Sequence, residues 1–152
     1  MEDWLIDERM MKALVQTLNE GNHSLVIYGN EKKISTYDGR GVSDLFRLLH
    51  EQPETLENAL LADKIVGKGA AALMALGKVK EVYADIISQS ALALLEQEGI
   101  RATYGKLVPH IINRAGTGMC PVETRCLSCQ TPVECLVQIK AFLAEMKKKQ
   151  TR

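Results

Sequence analysis

The chain has 152 residues, 46% of them hydrophobic and 25% charged, so it is long and apolar enough to bury the core of one globular domain over residues 1–152. Nineteen basic residues balance nineteen acidic ones, and no net field favours nucleic acid or an anionic membrane as a partner. The N-terminus has no secretory pattern and no apolar run approaches the roughly 18 residues of a membrane span, which predicts a cytoplasmic protein.

The first twenty residues have the pattern of an amphipathic helix. Apolar side chains from Trp4 to Leu18 recur at helical spacing, Asp3 is a candidate N-cap, and Gly21 is a typical stop. The sequence therefore predicts an N-terminal helix within residues 1–21.

Two short strand-like runs follow this helix. SLVIY and KKISTY are separated by a glycine-containing turn, which predicts a β-hairpin on one side of a sheet. A helix is then expected over residues 43–52, because Pro53 cannot continue it.

The middle of the chain alternates between strands and helices. Residues 59–66 are almost continuously apolar, as in a parallel strand covered on both faces, and an alanine-rich helix is predicted over residues 67–76. The run EVYADII and a helix capped by Ser88 repeat this order, and ATYGKLV supplies a further strand. Linked βαβ units imply right-handed crossovers and parallel strands, so the predicted fold class is α/β.

The C-terminal part is readable only at its end. Residues 131–134 form a capping box with proline at the first helical position, which predicts a last helix over residues 131–149. Between Pro109 and this box, the sequence has no clear secondary-structure pattern.

The polar residues of greatest interest follow the predicted parallel strands. In open α/β sheets, ligands bind beyond the carboxyl ends of the strands, where helix N-termini direct free N–H groups outward. Residues 63–68, 88–90 and 108–120 all occupy such positions. We expect these three segments to converge on one cleft.

Lys68 is the most informative residue in these segments. A cation in the first turn of a helix opposes the helix dipole by ~0.3–1 kcal/mol, and local rules are most often broken at functional sites. Its ammonium, Lys64 and the free N–H groups from Gly67 onward would suit a phosphate or carboxylate; the alternative is that Lys68 lies in water. The motif is not a Walker A loop, because Ala62 and Gly69 replace its required Gly and Ser or Thr.

Two further strand-end residues have both a functional and a structural interpretation. Asp63 is a candidate acid or base, but pairing with Lys64 or capping the turn is the simpler role. Ser88 is a candidate ligand-binding hydroxyl, although a helix cap is the simpler role.

The segment NRAGTGMCPVE, residues 113–123, is the second candidate ligand-binding region. Asn113, Arg114 and Thr117 suit a polar small molecule, and Arg114 could hold an anion through two hydrogen bonds; an ordinary surface loop is the alternative. Cys120 is a candidate nucleophile if its pKa is lowered, with Glu123 as acid or base, whereas an idle thiol is the common alternative.

The four cysteines give a weak metal signal. They form one C-x2-C pair with two outlying partners, whereas structural zinc sites usually have two close pairs; the spacing leaves an iron–sulfur cluster open. We predict no metal and no cofactor. The residues concerned are Cys120, Cys126, Cys129 and Cys135.

Three motifs together carry a resemblance to a known family. RGV at 40–42, DKIVGKGAA at 63–71 and NRAGTGMCPVE at 113–123 resemble an uncharacterised prokaryotic domain-of-unknown-function family with a cytidine-deaminase-like fold. The resemblance spans about residues 24–123. It implies a three-layer α/β/α sandwich with a mixed sheet of about five strands.

The resemblance does not extend to deaminase chemistry. Zinc deaminases need H-x-E or C-x-E at one helix start and P-C-x-x-C at the next, whereas this chain has VGKGA and SQSAL there. What the family fold implies is a metal-free cleft, with Lys68 near the former metal position and Ser88 and Ser90 near the former cysteines.

We therefore expect a metal-free site for an unidentified small molecule, either anionic or nucleotide-like, and leave open whether a reaction takes place there. The alternative is a protein-interaction module in which the C-terminal cysteines hold zinc and the final helix docks on a partner. Neither nucleic acid nor a membrane is an expected partner, and a homo-oligomer is left open.

Overall fold

The computed structural model describes residues 2–150, with side chains from Leu5 onward. Six α-helices and five strands are present in this part of the chain, and a short 3-10 turn at Pro53–Thr55 follows the second helix. In chain order the elements are α1 (Glu2–Glu20), β1 (Leu25–Tyr28), β2 (Ile34–Tyr37), α2 (Ser43–Glu51), β3 (Leu60–Val66), α3 (Lys68–Leu76), β4 (Glu81–Ser88), α4 (Gln89–Gln97), β5 (Arg101–Val108), α5 (Pro121–Cys126) and α6 (Pro132–Gln150).

The five strands form one mixed sheet in the order β2-β1-β3-β4-β5. β1 pairs antiparallel with both β2 and β3, while β3, β4 and β5 run parallel to one another. The parallel pairs are joined through helices, as connections between parallel strands require. The predicted α/β class, the mixed sheet of five strands and the hairpin at one side are confirmed.

Helices cover the sheet on both faces. Along β3, Leu60 and Ala62 pack with Leu14 and Leu18 of α1, whereas Leu61 belongs to the larger core formed with the other helices. Successive residues of one strand therefore contribute to opposite layers, as the pleat of a β-strand dictates. This arrangement is consistent with the three-layer sandwich.

Several predicted helix ends can be compared with the structure. Asp3 lies inside α1, so it is not the N-cap that we predicted, and the Trp4 side chain lies outside the described residues. Ser88 does cap α4, since the Ala91 N–H donates to its Oγ at 3.2 Å. Helix α5 was not predicted at all.

At the C-terminal helix, Glu134 N–H donates to Thr131 Oγ1 at 3.2 Å, which is half of the predicted capping box. Within residues 2–150, none of the helices combines the length and apolar character that a membrane span requires. The division of the chain into one domain with helical ends stays a prediction.

Candidate functional site

The carboxyl ends of the parallel strands meet at the side chain of one buried residue, Glu123. Glu123 is almost completely buried, with 1% of its surface exposed. Its Oε1 accepts a hydrogen bond from the Lys68 N–H at 2.8 Å, just after β3, and its Oε2 accepts one from the Ile111 N–H at 2.7 Å, just after β5. One carboxylate therefore ties together the segments that follow two strands of the sheet.

The last residue of β4 and the first turn of α4 each supply a hydroxyl group to the same carboxylate. Ser88 Oγ and Ser90 Oγ each donate to Glu123 Oε1 at 3.2 Å, and the two hydroxyls lie 3.3 Å apart. We call the carboxylate and its four donors the Glu123 centre; the members are Glu123, Ser88, Ser90 and the backbone N–H groups of Lys68 and Ile111.

Two glycines let the Glu123 centre form, because α5 approaches the start of α3 closely. A Cβ atom on Gly67 would lie 3.4 Å from Glu123 Oε1 and 3.2 Å from Ile111 Cγ1. A Cβ atom on Gly69 would lie only 2.4 Å from Val122 Cγ1, a distance that forces atoms to move. The G-K-G spacing therefore serves the packing of α5 on α3.

Helix α5 places Glu123 at its third position. Cys120 is the N-cap residue and Pro121 occupies the first helical position, where the missing proline N–H costs nothing. A carboxylate in the first turn also interacts favourably with the helix dipole. The sequence CPVE thus contains a helix-start signal, proline followed two residues later by glutamate, from which α5 could have been predicted.

The Lys68 side chain does not point at the Glu123 carboxylate. Its ammonium donates hydrogen bonds to the carbonyl oxygens of Leu127, at 3.2 Å, and Cys129. Both acceptors lie just after α5, where free carbonyl groups attract a cation. The expectation that this ammonium reaches into a cleft is therefore wrong in this structure, although the Lys68 N–H does reach the Glu123 centre.

Lys64 and the predicted binding loop also lie apart from the carboxylate. The Lys64 ammonium donates to Asn22 Oδ1, in the turn after α1. The Asn113 side chain is committed to its own loop: its Oδ1 accepts from Thr117 N–H at 3.0 Å and its Nδ2 donates to Thr117 Oγ1 at 3.1 Å. Arg114 is exposed in this loop.

The loop is nevertheless anchored beside the Glu123 centre. Ile112 and Met119 form an isolated β-bridge, and the Cys120 N–H donates to the Ile111 carbonyl at 2.8 Å. Cys120 itself is half-buried and lies three residues, or one helical turn, before Glu123. The predicted nucleophile and the predicted acid or base are therefore close neighbours on the chain.

Asp63 is buried in the sheet at a separate place. It is 8% exposed, and its Oδ1 accepts from the Ile65 N–H at 3.3 Å. Burial raises the pKa of this carboxyl to about 8, and the negative charges of Asp85 and Asp44 act in the same direction. The charges that influence Asp63 thus come from outside the Glu123 centre.

Three of the four cysteines lie in the core near the end of α5. Cys126 and Cys135 are fully buried and Cys129 is 9% exposed. A hydrogen bond with the Cys135 thiol lowers the pKa of Cys126, and the same interaction raises that of Cys135. Across the described side chains, no group of three or more His, Cys, Asp or Glu residues is arranged to hold a metal ion.

The three predicted segments do meet, and the Glu123 carboxylate lies at their meeting point. An open hollow of about 350 Å³ lies elsewhere, between the β1–β2 hairpin and the 3-10 turn, and none of its lining residues belongs to the Glu123 centre. Of the predicted ligand-binding residues, the structure brings Gly67, Lys68 through its N–H, and Ser88 to the centre. The sequence did not lead us to the Ile111 N–H, and no side-chain pattern could have indicated it.

Comparisons with known proteins give a family and a similar fold. The family model of a domain of unknown function (DUF1893), TM1506, matches residues 13–143, which include every segment of the Glu123 centre. The crystal structure of a DUF1893 family protein (TM1506) from Thermotoga maritima is similar, with a TM-score of 0.78 and 26% sequence identity over 90% of each chain. A search of curated proteins finds no match.

Proposed function

Because the chain belongs to the DUF1893 family of domains of unknown function, we propose a function from the site itself: metal-free binding of a small nucleotide-like molecule at the Glu123 centre, on a deaminase-like scaffold. The observation that carries this proposal is the convergence of the ends of three parallel strands on one buried carboxylate. Strand ends of this kind are where open α/β sheets bind ligands.

The hydrogen-bond inventory of the carboxylate favours a ligand that donates hydrogen bonds. A carboxylate has about four acceptor positions, two on each oxygen. Glu123 Oε1 already accepts from three donors, while Oε2 accepts only from the Ile111 N–H among the described residues. Oε2 is therefore the atom with a position to spare. An amide or amino N–H on the edge of a base-like ring is the group that would use it.

An anion is a poorer match for the centre than for the neighbouring loop. The Lys68 N–H, which was expected to receive a phosphate, already donates to Glu123. Arg114, by contrast, is exposed in the loop whose base is the Ile112–Met119 bridge. A phosphate on a nucleotide-like molecule would be held by this guanidinium while the base reaches the carboxylate.

Ser90 and Cys120 are the polar side chains through which a ligand would reach Glu123. Both residues are half-buried, whereas Ser88 and Glu123 are buried. If the protein is an enzyme, Cys120 would be the nucleophile and Glu123 the base.

Ligand binding is tested by native mass spectrometry of freshly purified protein, followed by thermal shifts with a panel of nucleosides and nucleotides. We expect one class of these compounds to raise the melting temperature, and Ser90→Ala to reduce that increase. Ser128→Ala is the matched control, because Ser128 is exposed and outside the centre. No retained molecule and no shift with any compound would refute the proposal.

The role of Cys120 is tested by alkylation. Cys120 is half-buried and the other three thiols are buried, so iodoacetamide should label Cys120 first. A compound that stabilises the protein should also slow this labelling. Stabilisation with unchanged labelling would place the ligand away from Cys120.

A further inference from the structure

The two edges of the sheet differ in length. The β2 edge has four residues, whereas the β5 edge has eight. β5 pairs with β4 on one side, and no strand within residues 2–150 pairs with its other side. A row of backbone N–H and C=O groups is therefore available along the outer side of β5.

β5 lacks three of the usual protections of an edge strand, although it carries the charged side chains of Arg101 and Lys106. Natural proteins shorten an edge strand, place proline in it or distort it with a bulge, and β5 has a regular register with β4 over its whole length. Six of its eight residues are exposed, including Tyr104 at 42% and Leu107 at 38%. Its two charged side chains are Arg101, which forms an ion pair with Glu81 at 3.9 Å, and the exposed Lys106.

We propose that β5 binds the β5 strand of a second copy of this chain, antiparallel and centred on Tyr104, so that two five-stranded sheets join into one. In an antiparallel pair, the backbone N–H and C=O groups of two opposite residues both point toward the partner strand or both point away from it. In a symmetric pairing of two identical strands, this condition holds only if the two-fold axis passes through one residue and its copy. Tyr104 and Gly105 are the two centres that keep seven residues of each strand paired.

The side chains favour Tyr104 over Gly105 as the centre. A centre at Tyr104 brings two aromatic rings together, and it places Arg101 opposite Leu107 and Ala102 opposite Lys106. No like charges face each other in this register, and an aromatic cross-strand pair is stabilising. A centre at Gly105 would leave no side chain at the middle of the interface.

The first test is the oligomeric state measured by light scattering after size-exclusion chromatography. We expect a particle of twice 16.8 kDa, and a monomer at the highest soluble concentration would overturn the proposal. Tyr104→Lys places two like charges opposite each other at the centre, so the dimer should dissociate with a Kd raised at least about tenfold.

A matched control separates the two edges. Ile34 lies on β2 and is 41% exposed, almost the same as Tyr104, so Ile34→Lys adds the same charge to the opposite edge. We expect Ile34→Lys to remain dimeric, with both variants folded by circular dichroism. Dissociation by Ile34→Lys alone, or by neither variant, would refute an interface at β5.

The register is tested by crosslinking. Only a residue on the symmetry axis faces its own copy, so Tyr104→Cys should form a covalent dimer under mild oxidation while Arg101→Cys should not. The native cysteines are the same in both variants, which makes each the control for the other. Equal crosslinking at both positions, or crosslinking at Arg101→Cys alone, would contradict the register.

Discussion

Two buried carboxyl groups, Glu123 beyond the ends of the parallel strands and Asp63 in the middle of β3, have very different surroundings. Glu123 accepts hydrogen bonds from two backbone N–H groups and two serine hydroxyls. Asp63 lies beside Leu25 and Ala84 in the sheet, accepts from the backbone N–H groups of Ile65, at 3.3 Å, and Lys64, and experiences the negative charges of Asp85 and Asp44. The difference shows that burial alone does not determine how well a fold accommodates a carboxyl group. The hydrogen-bond donors that surround the carboxyl group also determine this.

The strongest test of this comparison removes the well-supported carboxylate. Glu123→Ala leaves two backbone N–H groups and two hydroxyls without their acceptor, so the free energy of unfolding should fall by about 3–5 kcal/mol. Glu123→Gln keeps one carbonyl oxygen and should lose about half as much. Both changes in the free energy of unfolding are to be measured by urea denaturation.

The control for this pair is Glu98→Gln, at an exposed glutamate beside the end of α4. Its free energy of unfolding should change by no more than about 0.5 kcal/mol. If Glu123→Ala cost no more than this control, the four hydrogen bonds would not be holding the strand ends together.

The second test measures how the contribution of Asp63 to the free energy of unfolding changes with pH. Its folded-state pKa of about 8 lies above the ordinary value of 3.8, so the folded state binds more protons than the unfolded state between these two pH values. Stability from this group is therefore present below about pH 4 and is lost as pH rises through about 8. Asp63→Asn removes the titration.

We expect the free energy of unfolding of Asp63→Asn, relative to the original chain, to improve by about 2–4 kcal/mol between pH 4.5 and pH 8.5. Glu98→Gln, at an exposed glutamate, is the control and should show no comparable trend. Parallel pH profiles for Asp63→Asn and the original chain would mean that the Asp63 carboxyl is ionised throughout, against its burial.

The third test compares the two serines of the Glu123 centre. Ser88 Oγ donates to Glu123 and also accepts from the Ala91 N–H, whereas Ser90 Oγ has no such capping role. Ser88→Ala should therefore cost about 1.5–2.5 kcal/mol and Ser90→Ala about 0.5–1.5 kcal/mol. Combining each with Glu123→Ala should give less than the sum of the single losses, and strict additivity would disprove the shared network.

Much of the fold follows from local patterns in the sequence. Continuous apolar runs alternating with helices predict the parallel strands β3, β4 and β5, and a glycine-containing turn between two short runs predicts the hairpin. Helix α5 was not predicted because it has only six residues, which are too few to show a helical period in the sequence. The proline and glutamate at its start were its available signal.

The Glu123 centre was only partly predictable for a related reason. The strand-end rule identified Ser88 and the Gly67–Lys68 turn, and the polar composition of residues 113–123 identified Glu123. Their meeting depends on a contact between residues 68 and 123, which are 55 positions apart, and no local pattern specifies such a contact. The direction of the Lys68 side chain depends in turn on where α5 ends.

The smallest effect should come from that side chain, because Lys68 supports the Glu123 centre only through its backbone. Lys68→Met retains the N–H that donates to Glu123 and removes the ammonium from the carbonyls of Leu127 and Cys129, so unfolding should become easier by about 0.5–1 kcal/mol. Lys140→Met, at an exposed position of α6, controls for the loss of charge. The coupling between Ser90→Ala and Glu123→Ala should be the same in the Lys68→Met background. A coupling that disappears there would mean that the ammonium, and not only the backbone, organises the carboxylate, and the two buried carboxyls would then differ by a nearby cation as well as by their hydrogen-bond donors.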